Sequence, residues 1–362
     1  MHKKSLFYLL VLVNVLFSFK SFSQKNIYAG IEIGSKGIKF SVIDVNNIKK
    51  GNYDVVLFWT ENVGIAKGIS IDGNLAEADI TQAGIVIVEN LRKIRTRYNV
   101  LDDNIFIVGS SGVAMAKNTD ILKAKVKTWT NKTLEFIDID TEGRMLLKGS
   151  IPPIDYNDSI ILDIGGGNTK GGFVNALDDN KFEFFPLKLD YGTITLTEAI
   201  NKTIVIPTQI NDIMVYQEKA FDYAPLLRKK IKEMLESKPM TLNKKNIYLS
   251  GGAVWAFTTL YYANSDNVKF VPLKLEDMVD YDAILKNNFS KFEALAKTNK
   301  EAEKVINTYS QRHLIAANAI LIACLESLTD LKSKKIYFAK EGQVAWLVSY
   351  IVERTKKVNS NF

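Results

Sequence analysis

Residues 161–173 read ILDIGGGNTKGGF. In this stretch a glycine turn separates an acid, Asp163, from a lysine, Lys170. Three consecutive glycines cost conformational entropy. A chain keeps them where its backbone must come close to something small, very often phosphate oxygens. The alternative is a glycine-rich hairpin turn that binds no ligand. Both interpretations place the glycines between two strands.

A second stretch repeats this pattern near the start of the chain. EIGSKGIKFSV (32–42) and DIGGGNTKGGF (163–173) share an acid, Ile, Gly and, seven residues after the acid, a lysine. Glu32 and Asp163 are 131 residues apart, and so are Lys39 and Lys170. A chance hairpin need not occur twice, so two similar domains that face each other with these turns are predicted. A strand follows both turns, whereas a P-loop or a dinucleotide fingerprint opens a helix, so both of those sites are excluded.

Few other residues offer nucleophilic or metal chemistry. Cys324 is the only cysteine, which excludes internal disulfides and any multi-cysteine metal site, and its apolar neighbours predict a buried small hydrophobe. The two histidines are His2 and His313. A Ser-His-Asp or histidine–metal enzyme would depend on His313 alone, and the sequence does not favour one.

The first 23 residues have the architecture of a secretory signal peptide. Lys3 and Lys4 precede an apolar stretch of 14 residues (6–19), and small residues at 21–23 suit a cleavage site. An uncleaved N-terminal anchor is the alternative. Cleavage would leave 339 residues beginning at Gln24 and lower the formal net charge from +7 to +4. This length predicts about two domains, and the mildly basic net charge suits an anionic small ligand. The sequence lacks the concentrated basic patch of a nucleic-acid binder.

The elements that must position these residues alternate between strands and helices, which predicts α/β architecture. A long helix over 75–98 is predicted to bury Ile80, Ile85, Val88, Leu91 and Ile94, and Thr141 is predicted to cap the helix that follows it. Strands are predicted within 26–45, 53–62, 104–112, 133–140, 158–175 and 335–342, strand–helix units over 182–199 and 245–262, and further helices over 215–236, 313–328 and 343–354.

Eight segments in this order resemble the exopolyphosphatase and guanosine-pentaphosphate phosphohydrolase family of the actin, sugar-kinase and heat-shock-ATPase superfamily. They are AGIEIGSKGIKFSVIDV, the helix after DGNLAEADI, VGSSGVAMAKN, TEGRMLLKG, LDIGGGNTKGGF, PLKLDYGTITLTEA, YLSGGAVWAF and RHLIAANAILIACL. The resemblance covers about 27–350. It implies two actin-like ATPase (ribonuclease H-like) domains with a cleft between them, over 24–140 and 141–339, with a helix at about 340–358 returning to the first.

The resemblance also implies roles for site residues. Glu142 matches the glutamate that orients or deprotonates the attacking water, with a solvated first-turn glutamate as the alternative, and Asp163 joins it as a catalytic residue. Glu32 and Asp163 match acids that hold a divalent metal, which implies Mg²⁺ as cofactor. Gly251 and Gly252 match a further turn in the cleft. The implied phosphate-binding residues are Gly34, Ser35, Lys36, Gly165, Gly166, Gly167, Asn168 and Lys170.

Five positions depart from the family pattern. Glu32 stands where the family has aspartate and Lys36 where it has asparagine. Two family arginines fall on Ala114 and Thr195, and the first of these losses removes a phosphate clamp. Lys170 replaces a carboxylate. It either neutralises substrate phosphate, marks a site that binds without hydrolysing, or is a solvated strand residue.

The sequence leaves three functions open. The first is an exported, periplasmic or secreted hydrolase that releases terminal phosphate from polyphosphate or a polyphosphorylated nucleotide by metal-assisted water attack. The second is a phosphate- or polyphosphate-binding protein without turnover. The third, an ATP-dependent sugar kinase, suits the fold but not an export signal. The expected partner is an anionic phosphate compound, with no nucleic acid and no stable membrane insertion after cleavage; a homodimer is left open.

Overall fold

The computed structural model describes residues 26–47, 52–178, 181–206, 209, 212–263 and 268–359, so the leader predicted over 1–23 lies outside the described residues. The first half of the chain forms β1 (Ile27–Ile33), β2 (Gly37–Asn47), β3 (Asn52–Asn62), α1 (Ile69–Asp72), α2 (Glu77–Arg97), β4 (Ile105–Gly109), α3 (Ser111–Ala114), α4 (Thr119–Thr130), β5 (Leu134–Phe136) and α5 (Ile139–Ser150).

The second half begins with another strand, turn and strand. Its elements are β6 (Ser159–Ile164), β7 (Thr169–Asp178), β8 (Lys181–Leu189), α6 (Thr193–Asn201), α7 (Ile213–Glu236), β9 (Asn246–Ser250), α8 (Gly252–Tyr262), β10 (Phe270–Pro272), α9 (Leu275–Asn287), α10 (Ser290–Ala296), α11 (Lys300–Thr308), α12 (Gln311–Glu326), β11 (Lys335–Ala339) and α13 (Gly342–Asn359).

The two sheets repeat one topology. The first has the order β3-β2-β1-β4-β5, and the second has the order β10-β11-β9-β6-β7-β8. In each, an antiparallel three-stranded meander is extended by two parallel strands, β4 and β5 in the first sheet and β9 and β11 in the second. The repeat predicted from the two glycine turns therefore extends over five strands of each sheet, and β10, antiparallel to β11, is an addition to the second.

Three apolar clusters hold these layers together. One packs α2 and α4 on the first sheet, and another packs α6–α9 and α12 on the second. The third joins Tyr28 and Ile43 of the first sheet, Ile161 of the second, and Trp346 and Ile351 of α13. Burial of apolar surface in this third cluster links the two halves below the cleft.

The last helix lies against the first sheet. A Cβ added to Gly30 in β1 would come within 2.7 Å of Ile351 and 2.9 Å of Leu347, so the absence of a side chain at residue 30 lets α13 approach the strand. Helix α13 also packs closely on α5, where Gly149 meets Ala345.

Two local predictions are corrected. Ile85 and Val88 are exposed, and α2 instead buries Ile80, Ala83, Ile87, Leu91 and Ile94 together with Gly84 and Asn90. The cap of α5 is Asp138, whose carboxylate accepts a hydrogen bond from the Thr141 N–H at 2.7 Å. Cys324 is buried in α12, as predicted.

No helix within the described part of the chain is both long enough and apolar enough to cross a membrane.

Candidate active site

All thirteen residues predicted for the site line one cleft of about 560 Å³ between the two sheets. They come from the β1–β2 turn, the first turn of α5, the β6–β7 hairpin and the start of α8. They are Glu32, Gly34, Ser35, Lys36, Glu142, Asp163, Gly165, Gly166, Gly167, Asn168, Lys170, Gly251 and Gly252. Residues from four separate segments therefore share one concave surface, which is the usual setting of a small-ligand site.

The two glycine turns have the same backbone pairing and touch each other across the cleft. Gly34 N–H donates to the Gly37 carbonyl at 3.0 Å, and Gly165 N–H donates to the Asn168 carbonyl at 3.0 Å. A Cβ on Gly167 would lie 2.9 Å from the Ser35 hydroxyl and 3.2 Å from the Gly112 Cα. Only glycine leaves room for this close approach of three backbone segments.

The N-terminus of α6 fixes the second turn from behind. Thr193 N–H donates to the Gly165 carbonyl at 2.9 Å, and Ile194 N–H donates to the Gly166 carbonyl at 2.8 Å. Thr195 stands where the family has an arginine. Its hydroxyl donates to the Gly167 carbonyl at 2.8 Å and accepts from Gly192 N–H at 2.8 Å. Thr195 therefore stabilises the glycine turn and provides no positive charge for a phosphate group.

Lys170 lies at the centre of the cleft floor among three oxygen atoms. Its Nζ is 3.0 Å from Glu142 Oε1, 2.8 Å from Asp163 Oδ2 and 3.4 Å from Asn168 Oδ1. The lysine is 5% exposed and Glu142 is 1% exposed, so neither is the solvated residue that its alternative interpretation required. Burial alone would lower the pKa of Lys170, but the Asp163 and Glu142 carboxylates raise it well above its usual value, so the ammonium stays charged.

The second oxygen of Glu142 is also occupied. Its Oε2 accepts the Ser111 N–H at 2.8 Å, at the point where the chain leaves β4. The family resemblance had marked the segment around Ser111, but this backbone contact depends on how α5 packs against α3. Sequence reasoning therefore missed Ser111 as a site residue.

The first hairpin carries an equivalent ion pair. Glu32 and Lys39 are opposite each other in the β1–β2 ladder, as Asp163 and Lys170 are in the β6–β7 ladder. Lys39 Nζ lies 3.2 Å from both carboxylate oxygens of Glu32. The seven-residue spacing in both sequence repeats is thus the length of a hairpin that sets an acid against a lysine. Burial, opposed by Lys39, raises the pKa of Glu32 to about 7.

Lys36 and Tyr309 line the cleft beside each other. The Lys36 ammonium is 5.6 Å from the centre of the Tyr309 ring. Burial lowers the pKa of the neighbouring His313 to about 3, and its Nδ1 hydrogen-bonds the Ser310 hydroxyl at 2.9 Å as part of the α12 cap. His313 is not among the residues that line the cleft.

Gly251 and Gly252 are packed against the floor and wall of the cleft. Gly251 has φ +95°, and a Cβ there would lie 2.5 Å from Asp163 Oδ1. A Cβ on Gly252 would collide with the Tyr309 hydroxyl. Both glycines thus admit the Asp163 and Tyr309 side chains to their positions.

Several lining residues were not predicted. Trp255 and Tyr309 form part of one wall, and Trp59 comes from β3 on the other. Asn62 donates a hydrogen bond to the Thr308 hydroxyl at 2.9 Å and so joins β3 to the end of α11. Trp255 follows the Gly251–Gly252 turn, whereas Trp59 and Tyr309 belong to no glycine motif, and the packing of the elements brings the three together.

The carboxylates implied as Mg²⁺ ligands do not suit a divalent ion in this arrangement. Lys39 holds Glu32 and Lys170 holds Asp163. Mg²⁺ requires oxygen atoms at about 2.1 Å in octahedral geometry. The Lys170 ammonium already occupies the space between the Asp163 and Glu142 carboxylates. Within the described residues, no group of three or more His, Cys, Asp or Glu side chains has the geometry to hold a metal.

Comparisons with known proteins agree with this architecture. The profile of the Ppx/GppA phosphatase family matches residues 44–344. A guanosine-5'-triphosphate,3'-diphosphate pyrophosphatase of Pseudoalteromonas translucida is 27% identical over 152 residues, which are 41% of this chain and 29% of that protein. The protein of the same name from Pseudoalteromonas atlantica is 22% identical over 147 residues, which are 40% of this chain and 28% of that protein. The alignments span less than a third of either relative.

Two solved structures share the fold. The Aquifex aeolicus member of the Ppx/GppA family has a TM-score of 0.64 at 18% identity, covering 92% of this chain and 98% of that one. An exopolyphosphatase from Cytophaga hutchinsonii has a TM-score of 0.67 at 16% identity, covering 90% and 98%. The predicted fold of two actin-like domains is confirmed.

Proposed function

We propose that this chain, which belongs to the Ppx/GppA phosphatase family, hydrolyses phosphoanhydrides and releases the terminal phosphate of polyphosphate or of a polyphosphorylated nucleotide. The observation that carries the proposal is the pair of equivalent glycine turns that face each other over buried carboxylates and lysines in one cleft. Backbone N–H groups of such turns suit phosphate oxygens, and phosphoryl transfer needs mainly positioning and charge stabilisation.

In this proposal Glu142 orients the attacking water. Each carboxylate oxygen has two lone pairs, so Glu142 can still accept a hydrogen bond from water while it contacts Lys170 and Ser111. The water oxygen bonds to the terminal phosphorus as the bridging P–O bond breaks. The water proton passes to the Glu142 carboxylate, and the shortened chain leaves as an anion. Lys170 keeps Glu142 in place, and Lys36, which lines the same cleft, offers a positive charge to the leaving chain.

The test is phosphate release by wild type and by Glu142→Gln, with polyphosphate, guanosine pentaphosphate and ATP as substrates, with and without Mg²⁺. Glu142→Gln keeps the shape of the side chain but removes the carboxylate. We expect turnover to fall by about 10²–10⁴ while polyphosphate affinity stays within a few-fold. Glu301→Gln is the matched control, because Glu301 lines the same cleft with a solvent-exposed carboxylate. Equal rates for wild type and Glu142→Gln would refute the role of Glu142.

One observation favours a second candidate, a phosphate- or polyphosphate-binding protein without turnover. Lys170 contacts both carboxylates that a hydrolase would use. Tight polyphosphate binding by wild type, together with no phosphate release under any metal condition, would establish this alternative and exclude hydrolysis.

A further inference from the structure

Lys170 has the surroundings of a bound cation. Oxygen atoms from Glu142, Asp163 and Asn168 converge on its Nζ at 3.0, 2.8 and 3.4 Å. An ammonium group has three N–H donors, so these three acceptors satisfy it completely. Both carboxylates are buried, and in that setting a charge without a partner is strongly destabilising. The lysine is therefore the counter-ion without which the cleft floor is not stable.

The position of this ammonium is set by the sheet. Lys170 lies within β7, and its register partner across the β6–β7 ladder is Asp163. Glu142 lies in the first turn of α5, a helix that packs against this hairpin. A divalent ion that bound both carboxylates would share their space with a second positive charge a few ångströms away, which is strongly unfavourable where water is excluded.

The charges of the floor nearly balance without a metal. Glu32, Glu142 and Asp163 carry three negative charges when ionised, and Lys39 and Lys170 carry two positive charges. Lys36 lines the same cleft and adds a third positive charge. Three lysines then balance the three carboxylates, so an anionic ligand meets a cleft whose charge has been neutralised by side chains of the protein.

We propose that Lys170 is a built-in cation that takes the position of a divalent ion, so that this cleft binds a phosphoanhydride end that carries no metal. The proposal rests on the proposed function only in taking a phosphate compound as the ligand. It concerns binding, so it can hold for a hydrolase and for a protein without turnover.

The first experiment uses wild-type protein alone. Mn²⁺ titrated into the protein and followed by electron paramagnetic resonance should show no site tighter than about 1 mM, since carboxylates held by lysines are poor metal ligands. Tripolyphosphate affinity measured by calorimetry in EDTA should match that in metal-free buffer without EDTA. A Mn²⁺ site that is tighter than 0.1 mM (on the order of ordinary carboxylate sites) and is lost in Asp163→Asn would overturn the proposal. So would a tenfold or greater loss of tripolyphosphate affinity in EDTA.

The second experiment frees the carboxylates. Lys170→Gln should create a Mn²⁺ site at least tenfold tighter than any in wild type, and Asp163→Asn in the same background should remove it again. Lys170→Gln should also weaken metal-free tripolyphosphate binding at least tenfold, because it removes one positive charge and leaves two carboxylates without a counter-ion. Lys229→Gln is the control, since it removes the same charge from an exposed lysine that pairs with Glu233 on α7 and does not line the cleft. Folded Lys170→Gln that binds tripolyphosphate as wild type does would contradict the proposal.

Discussion

The ammonium group of Lys36 lies over the Tyr309 ring in the cleft. Burial, helped by Lys67 and opposed by Glu198, lowers the pKa of Lys36 to about 8. A lysine with this pKa is mostly charged at pH 7 and mostly neutral at pH 9. An anion that binds beside it favours the charged form and so raises its pKa.

Affinity for polyphosphate should therefore depend on pH through Lys36. Above pH 8 the free protein must take up a proton to bind the anion, so the association constant should fall by up to about tenfold per pH unit. Lys36→Arg should bind with nearly constant affinity from pH 7 to 9.5, because a guanidinium stays charged. Calorimetric titrations of both proteins over this range make the comparison. Parallel pH profiles would show that Lys36 does not contact the ligand.

At the scale of elements, the hairpins could be predicted because their signals are local. A buried strand, an acid and a glycine turn occur within a few residues of each other in both repeats, so Glu32 and Asp163 could be matched directly. The Lys170–Glu142 contact could not be predicted in this way, since it depends on how α5 meets β7. Ile85 was misplaced because it borders the apolar face of α2, where periodicity alone does not decide burial.

Helix α6 holds the second glycine turn through two backbone N–H groups and through the side chain of Thr195. Thr195→Val removes two hydrogen bonds, one to the Gly167 carbonyl in the glycine turn and one from Gly192 N–H at the start of α6. We expect a loss of about 1–3 kcal/mol in the free energy of unfolding and a tenfold or smaller loss of polyphosphate affinity. Thr258→Val should leave affinity unchanged, because the Thr258 hydroxyl bonds carbonyls of its own helix. Urea denaturation and binding titrations measure both effects. Unchanged affinity in Thr195→Val would mean that the turn keeps its shape without this contact.

At the scale of the whole molecule, α13 ties the end of the chain to its first strand. Ile351 is fully buried against Gly30, so Ile351→Ala should lower the free energy of unfolding by about 2–5 kcal/mol through lost burial and a cavity. Ile85→Ala makes the same chemical change at an exposed position and should cost less than about 0.5 kcal/mol. Urea denaturation of the two variants gives both values. Equal costs would show that α13 contributes little to the stability of the first sheet.

What the sequence predicted at this scale was the pairing of two similar domains, since the repeat is visible in its motifs. The domain limits at 140 and 339 and the export signal over 1–23 stay predictions. The walls contributed by Trp59, Trp255 and Tyr309 could not be predicted, because they depend on the orientation of one domain against the other.

The contact between α13 and β1 also affects the order in which parts of the protein can fold during synthesis. More than 300 residues separate Gly30 from Leu347 and Ile351, which cover it. At a synthesis rate of about 5–20 residues per second, one face of the first sheet waits roughly 15 to 60 seconds for its cover. Until then Tyr28 and Ile43 lack their partners on α13, and they present an apolar surface to chaperones. The hairpin that carries Glu32 therefore leaves the ribosome well before α13, the helix that covers its strand.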